Sequence, residues 1–259
     1  MQIAKRIYLY RDLFRVFVWR EFTIRYRQSI IGVLWAIIQP LSMMVLFTFI
    51  FSYVLKLKVA DYPHTVFFYS GLLPWIFFSS SLNYSIPSLT NHYDLITKIY
   101  FPREILPLSG ISVAFIDYII ASLIFALILL IYKIHITWNV LWLIPLFALL
   151  LFFTIAVSLL LSSVNVYYRD VKLATGFLIQ AWFFASPVMY SIDQLNIKFK
   201  MILFLNPLTF IIENMRRCVL EGRSIVLWQF AFVGVIITIF YFLSYKFFIK
   251  TERDFADVI

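Results

Sequence analysis

Residues 105–132 read ILPLSGISVAFIDYIIASLIFALILLIY, an apolar run with a single charged side chain, Asp117. A helix needs about 20 mostly apolar residues to cross the hydrocarbon of a bilayer, and this stretch exceeds that length. Its continuity excludes a barrel strand, which would alternate apolar and polar residues over about ten positions. Five further runs share its character, at about 30–55, 64–89, 138–163, 174–190 and 225–249. The run at 174–190 is the weakest, being short and interrupted by Pro187. Composition agrees: 63% of the 259 residues are hydrophobic and only 14% are charged. A soluble domain carries about 25% charged residues, so too little polar surface is left to cover a water-soluble globule.

The expected fold is therefore all-α and integral to a membrane, in one transmembrane domain. A cytoplasmic interfacial helix occupies 1–29, spans one to five 30–190, an outer re-entrant segment 191–224, span six 225–249 and a cytoplasmic tail 250–259. No internal repeat suggests inverted halves, and no cleavable secretory signal is expected at the start of the chain. The net charge of +9 does not point to nucleic acid, because basic residues also mark the cytoplasmic side of membrane proteins. With the N-terminus inside, six spans place fourteen Lys and Arg inside against eight outside, giving an N-in, C-in orientation. Arg216, Arg217 and Arg223 run against that bias.

Upstream of the first span, Leu9, Leu13, Val16 and Phe17 fall on one helical face and Arg11, Asp12 and Arg15 on the other. This is the pattern of an amphipathic helix lying in the headgroup layer, with arginines toward anionic lipid. The phase slips after Arg20, so the helix is expected to bend or end before Arg25.

The sequence offers little bond chemistry. The six glycines lie too far apart for a phosphate-cradling loop, so no ATP site is expected in this chain. His64, His92 and His135 lack metal-ligand spacing, and the one cysteine, Cys218, excludes an internal disulfide. No metal, cofactor or catalytic residue is expected. Asp117 stands alone inside a span, which by default marks a functional group. The plainer reading is a satisfied interhelical hydrogen bond, to the neighbourhood of Tyr118 or to serines on another helix. Between residues 191 and 224 the chain is too apolar for a free loop and too interrupted for a span, and Asn206-Pro207 breaks it into two short helices. Such re-entrant backbone must be buried in protein or line a wet cavity. Glu213, Arg216 and Arg217 have the i,i+3 and i,i+4 spacing of an ion-paired helix face or of an outer gate. Aromatics inside the spans, among them Phe47, Phe51, Trp182, Phe183 and Tyr190, suit either packing or a lining for sugar rings.

Several motifs in order resemble one family. They are Arg25-Tyr26-Arg27-Gln28-Ser29 with Gly32-Val33-Leu34-Trp35 and Gln39-Pro40, then Gly71-Leu72-Leu73-Pro74-Trp75, Phe101-Pro102-Arg103-Glu104, Tyr168-Arg169-Asp170, Ser186-Pro187 and Asn206-Pro207-Leu208. Together they look like the permease subunit of ATP-binding-cassette polysaccharide exporters, which move O-antigen, capsule or teichoic-acid chains. The resemblance implies a homodimer in the bacterial inner membrane, surrounded by membrane lipid. Two separate ATPase subunits would bind ATP and magnesium, and a lipid-linked polysaccharide would be the cargo. It further implies ATPase coupling through Lys98, Tyr100, Phe101, Pro102, Arg103, Glu104, Tyr168, Arg169 and Asp170. Channel lining would fall to Phe47, Phe51, Trp182, Phe183 and Tyr190, and an outer gate to Asn206, Pro207, Glu213, Arg216 and Arg217. The pyrophosphate of the lipid would meet Arg25 or Arg27. O-antigen is the expected cargo, with teichoic acid or capsule as alternatives within the family. An ion-coupled flippase dependent on Asp117 is the alternative outside it. A membrane glycosyltransferase would need a carboxylate pair or a nucleotide-sugar loop, and neither is evident.

Overall fold

The computed structural model describes residue 6 and residues 8–27, 29–56, 62–168 and 170–255. Among them every regular element is helical. Among the described residues five helices are long and apolar enough to cross a membrane: Gly32–Val54, His64–Ser85, Ile105–Ile131, Trp138–Tyr167 and Leu227–Asp254. The elements are α1 (Arg11–Tyr26), α2 (Trp35–Phe49), α3 (His64–Ser85), α4 (Ser88–Asn91), α5 (Tyr93–Lys98), α6 (Ile105–Ile131), α7 (Leu143–Tyr167), α8 (Asp170–Phe184), α9 (Ile197–Leu203), α10 (Pro207–Arg216) and α11 (Leu227–Thr251). Short 3-10 turns lead into α2 and α7, and π-helical turns follow α2 and α10.

The core is built around α3, which packs against α6, α2, α7 and α10. This explains its composition. A helix surrounded by protein has no need of an amphipathic stripe, and α3 is buried all round, from Val66 through Trp75. Large rings fill its interfaces: Tyr69 stacks on Phe125 at 5.4 Å and Phe78 on Phe153 at 5.7 Å. Helices approach most closely where a side chain is missing. At Gly110 an added Cβ would lie 2.9 Å from Tyr84 Cβ. A second pair, α7 and α11, packs through Phe153 and Phe240, and through Phe152 and Tyr241.

Side-chain contacts sort the helix ends into two groups. At one end the Arg103 amide donates to Glu252 Oε1 at 3.0 Å, and Tyr167 lies against Phe255, gathering the start of α6 with the ends of α7 and α11. At the other end Tyr132 donates to Thr65 Oγ1 at 3.1 Å, and Asn139 reaches the Gly222 carbonyl. Gly222 sits at φ 62°, and a Cβ there would meet Thr137 Cγ2 at 2.7 Å, so both conformation and space require glycine.

Two expectations need correction. The stretch expected at 174–190 forms a helix from Asp170 to Phe184, four residues earlier at its start and ending before Ala185. Asp170 opens its first turn, where a negative charge favours the helix dipole. At 15 residues α8 is about 22 Å long, short of the hydrocarbon thickness. The second correction concerns α1, which runs unbroken through Arg25 to Tyr26. Its protein-facing stripe is Tyr10, Leu13, Phe14, Phe17, Glu21 and Arg25, while Leu9 and Val16 are exposed. The apparent slip after Arg20 arises because the buried stripe turns polar there and its polar groups find partners.

Candidate functional site

Among the described residues of the N-terminal segment three charged side chains face inward, and each meets a different part of the bundle. Arg6 Nη1 lies 3.1 Å from Glu104 Oε1 and 3.5 Å from Glu252 Oε2. Glu21 faces His92 Nε2 at 3.3 Å, while His92 Nδ1 lies 2.8 Å from the Ser88 carbonyl. Arg25 forms an ion pair with Asp117, and the Tyr26 hydroxyl donates to Asp117 Oδ1. The Arg25 guanidinium also stacks over Tyr84 at 4.6 Å. Asp117 is 7% exposed, so its charge is answered inside the protein by residues of α1 rather than by serines of a neighbouring span. Burial first, and then the bond to Asp117, hold the Tyr26 phenol above its ordinary range.

Glu104 is 0% exposed. Burial, and then the facing Glu252 carboxylate, push its carboxyl up to about 7 against the opposing pull of Arg6. For Arg6, burial acts against the charge, but Glu104 and Glu252 outweigh it and raise the guanidinium above its ordinary value. Beside this junction a cavity of about 630 Å³ is lined by Arg6, Tyr100, Arg103, Tyr245 and Glu252 among others.

The expected coupling residues divide by exposure. Tyr100 is 89% exposed, and Lys98, Tyr168 and Asp170 are also exposed. Phe101, Pro102 and Glu104 point inward: Phe101 stacks on Phe17 at 5.8 Å. Arg103 bonds the Glu252 carbonyl and lies over the Phe255 ring. Arg169 lies outside the described residues. Of the two arginines expected at a lipid pyrophosphate, Arg25 is engaged by Asp117 while Arg27 is exposed.

At the opposite end the segment expected as a gate is tightly built. Asn206 caps α10 by accepting from the Leu208 amide at 3.1 Å, with Pro207 in the first turn, where its missing N–H costs nothing. The Asn206 amide donates to the Ala185 carbonyl and to Ser186 Oγ, and Trp182 Nε1 donates to Asn206 Oδ1 at 3.0 Å. Arg216, 4% exposed, donates to the Pro187 and Val188 carbonyls at 2.8 and 3.2 Å and to Ser70 Oγ at 3.3 Å. Its guanidinium also pairs with Glu213 at 3.3 Å and lies 3.9 Å from the Phe67 ring centroid. Arg217 reaches Glu213 at 3.0 Å and Asp193 at 3.1 Å. The turn after α8 is thus gripped from both ends of α10. By contrast α9 presents Ile197, Phe199, Met201 and Ile202 outward.

The aromatics expected along a channel cluster where α2 and α8 meet α3. Phe47 stacks on Phe183 at 5.9 Å, Phe51 meets Phe68 in a tilted arrangement at 5.2 Å, and Trp182 meets Phe78 edge-on at 5.1 Å. Tyr190 donates to the Phe184 carbonyl. Phe49, Phe177 and Phe184 on the same two helices, and Tyr53 in the π-helical turn after α2, are exposed, and the sequence reading did not single them out. Only the helical phase of each residue against α3 separates them from the packed set.

Among the described residues no group of three His, Cys, Asp or Glu could hold a metal ion. What the bundle displays is a body of long apolar helices with an exposed face beside the α5–α6 loop and, at the other end, a segment around α10 clamped by buried polar contacts. That is the build of a transporter's membrane component, and the chain belongs to the ABC-2 type transporter family, whose model matches residues 12–220. It is a permease subunit of the cytoplasmic membrane and not itself an enzyme, since ATP hydrolysis in this family resides in a separate subunit. Similar chains include the O-antigen export system permease protein RfbA of Klebsiella pneumoniae, 30% identical over 255 residues, which span 96% of this chain and 95% of the relative. The protein of the same name from Myxococcus xanthus is 30% identical over 226 residues, or 86% of each chain. The polysialic acid transport protein KpsM of Escherichia coli is more distant, at 25% over 209 residues, 78% of this chain and 79% of the relative.

Proposed function

We propose that this chain is the channel-forming subunit of an ATP-driven exporter that moves a lipid-linked polysaccharide, of the O-antigen class, from the cytoplasmic side across the inner membrane. The observation that carries the reading is the end-to-end likeness to O-antigen export permeases at 30% identity, over 96% of the chain. In this reading the chain crosses the membrane six times, N-in and C-in. Residues 185–190 and the re-entrant segment complete the fifth crossing that α8 begins. The shared location of Arg6, Arg103 and Glu252 at one end of the bundle supports that count.

Two copies of the chain, each with an ATPase subunit that binds ATP and magnesium, form the working unit. The exposed Lys98, Tyr100, Tyr168 and Asp170, together with Arg169, make the ATPase-docking face. Phe101, Pro102, Arg103 and Glu104 form the buried root that carries motion from that face into α6. A polymer cannot be enclosed whole, so the dimer opens a continuous pore. Its walls come from α2 and α8, where Phe47, Phe51, Trp182, Phe183 and Tyr190 lie beside the exposed rings. Asn206, Pro207, Glu213, Arg216 and Arg217 shape its outer mouth. Arg27, the free one of the arginine pair, meets the lipid pyrophosphate. Capsular polysaccharide is the second reading, favoured by the likeness to the polysialic acid transport protein over 78% of the chain.

The test is co-purification from the native host in mild detergent. The reading expects a stoichiometric ATPase subunit, released when Tyr100 and Lys98 are both replaced by Glu. A chain that purifies with no ATPase, in cells whose surface glycan persists without one, would refute it.

A further inference from the structure

Asp117 is the one acidic residue deep in a span, and neither ATP hydrolysis nor pore lining uses it. We infer that Asp117 is a positioning residue that fixes the interfacial helix α1 to spanning helix α6, so that motion delivered to α1 reaches α6 and, through the packing of α6 on α2, the pore. This rests on the ATP-driven reading above.

The geometry supplies the reason. The contact is two-pronged: Arg25 takes one carboxylate oxygen of Asp117 and the Tyr26 hydroxyl takes the other. Consecutive residues on α1 thus grip a single group, and such a grip resists rotation of α1 as well as translation. Tyr84 of α3 closes the cluster from the far side, under the Arg25 guanidinium. Tyr84 is itself seated against Gly110 of α6, where no side chain larger than hydrogen fits. The neighbouring cavity, lined by Arg25, Gln39, Pro40, Ser80 and Asp117 among others, has a volume of about 20 Å³, room for a single water and none for a lipid phosphate. The cluster is therefore a closed joint rather than a binding site. One turn earlier on the same stripe, Glu21 meets His92 of the loop between α4 and α5, and Phe17 lies between His92 and Phe101. The helix is tied to the docking loop at one point and to α6 at the next. A push on the loop reaches α1 through Phe17 and Glu21, and leaves it through Arg25 and Tyr26.

A charged joint of this kind works in either polarity, whereas a proton-carrying carboxylate works only where it stands. The test compares Asp117→Asn, Asp117→Glu and the exchange Arg25→Asp with Asp117→Arg, in complex with the ATPase. Each variant is checked for assembly and ATP hydrolysis. Asp117→Asn is expected to keep hydrolysis near the wild-type rate while export falls by about 5- to 150-fold, the span of ordinary coupling energies. Asp117→Glu and the charge exchange are expected to regain most of the export. Independently of transport, spin labels on Ile24→Cys and Ile119→Cys report the distance between α1 and α6, because both sites are exposed and native Cys218 is buried. The distribution should be narrow with Asp117 and broad with Asn. Unchanged export and an unchanged distance in Asp117→Asn would overturn the inference. So would a folded charge exchange that exports no better than Asp117→Asn. If no ATPase assembles with the chain, the exporter reading fails, and the label distance still decides the joint.

Discussion

Replacing Arg216 with alanine removes a buried guanidinium that ties three segments together. Its loss leaves the Pro187 and Val188 carbonyls and Ser70 Oγ without that donor, and leaves the Glu213 carboxylate, 3% exposed, with Arg217 alone. Removing one partner of a buried charge pair costs about 3–5 kcal/mol, because the other partner stays desolvated. Hydrogen bonds between membrane helices average only about 0.6 kcal/mol, since the unfolded chain in lipid finds other partners. That lower figure does not govern here, because three acceptors on two other segments depend on this cation and the Glu213 carboxylate shares it with Arg217. Each kcal/mol shifts Tm by about 2–4 °C in a domain of roughly this size, so a drop of about 6–20 °C is expected for Arg216→Ala. Arg216→Lys keeps the charge but cannot reach all the acceptors, and should fall between. Exchanging both partners for apolar residues, Arg216→Met with Glu213→Leu, should cost less than Arg216→Ala alone. The assay is built into the chain: Cys218, its single cysteine, is buried two residues further on and reacts with a thiol dye only when this segment opens. A Tm for Arg216→Ala within about 2 °C of wild type, less than the shift expected from one kcal/mol, would refute the reasoning.

Three further outcomes follow from neighbouring geometry. Gly71→Ala places a Cβ 2.5 Å from Arg216 Nη2 and 3.1 Å from the Val188 carbonyl, so it should destabilise the same segment by about 1–3 kcal/mol in the thiol assay, and by less in an Arg216→Ala background. The Glu104 carboxyl, raised by burial from its ordinary 4.5 to about 7, holds its proton in the folded chain at pH values where the unfolded chain has released it. Its contribution to stability is therefore fully present below about pH 4.5 and fades as pH rises toward 7 and beyond. Glu104→Gln should flatten the dependence of Tm on pH in that window. Tyr100→Ala, at an 89% exposed position, should leave Tm unchanged while weakening ATPase binding in a pull-down.

Much of this architecture is legible in the sequence because hydropathy and length decide spans directly. The runs beginning at His64 and Ile105 start at those residues in the structure, and the break at Asn206-Pro207 is where α10 begins. The pairing of Glu213 with Arg216 and Arg217 is equally legible, since helical spacing alone brings them together. What hydropathy cannot supply is a partner far along the chain. Asp117 and Tyr26 are 91 residues apart, and nothing local to either marks the contact. Glu104 stands beside Arg103 in the expected coupling stretch, and nothing local to it shows that Arg6 and the packing of two span ends bury it. The inner face of α1 is not legible in the sequence for a different reason. Both of its faces carry apolar side chains, one set packed on the bundle and the other exposed, so periodicity shows that two faces exist but not which one packs. The same ambiguity separates Phe47 from Phe49 on α2: both are aromatic, and only the position of α3 makes one buried and the other exposed.

The central proposal is ATP-driven movement of a lipid-linked glycan through this chain. The direct measurement is reconstitution of the chain with its co-purified ATPase subunit in liposomes carrying the host's lipid-linked glycan. A lectin then reports glycan appearing on the face opposite the ATPase. ATP-driven export requires that the glycan appear only with hydrolysable ATP and that appearance stop when the ATPase is released by the Lys98 and Tyr100 substitutions. Appearance without ATP, driven by an ion gradient and abolished by Asp117→Asn, would contradict it.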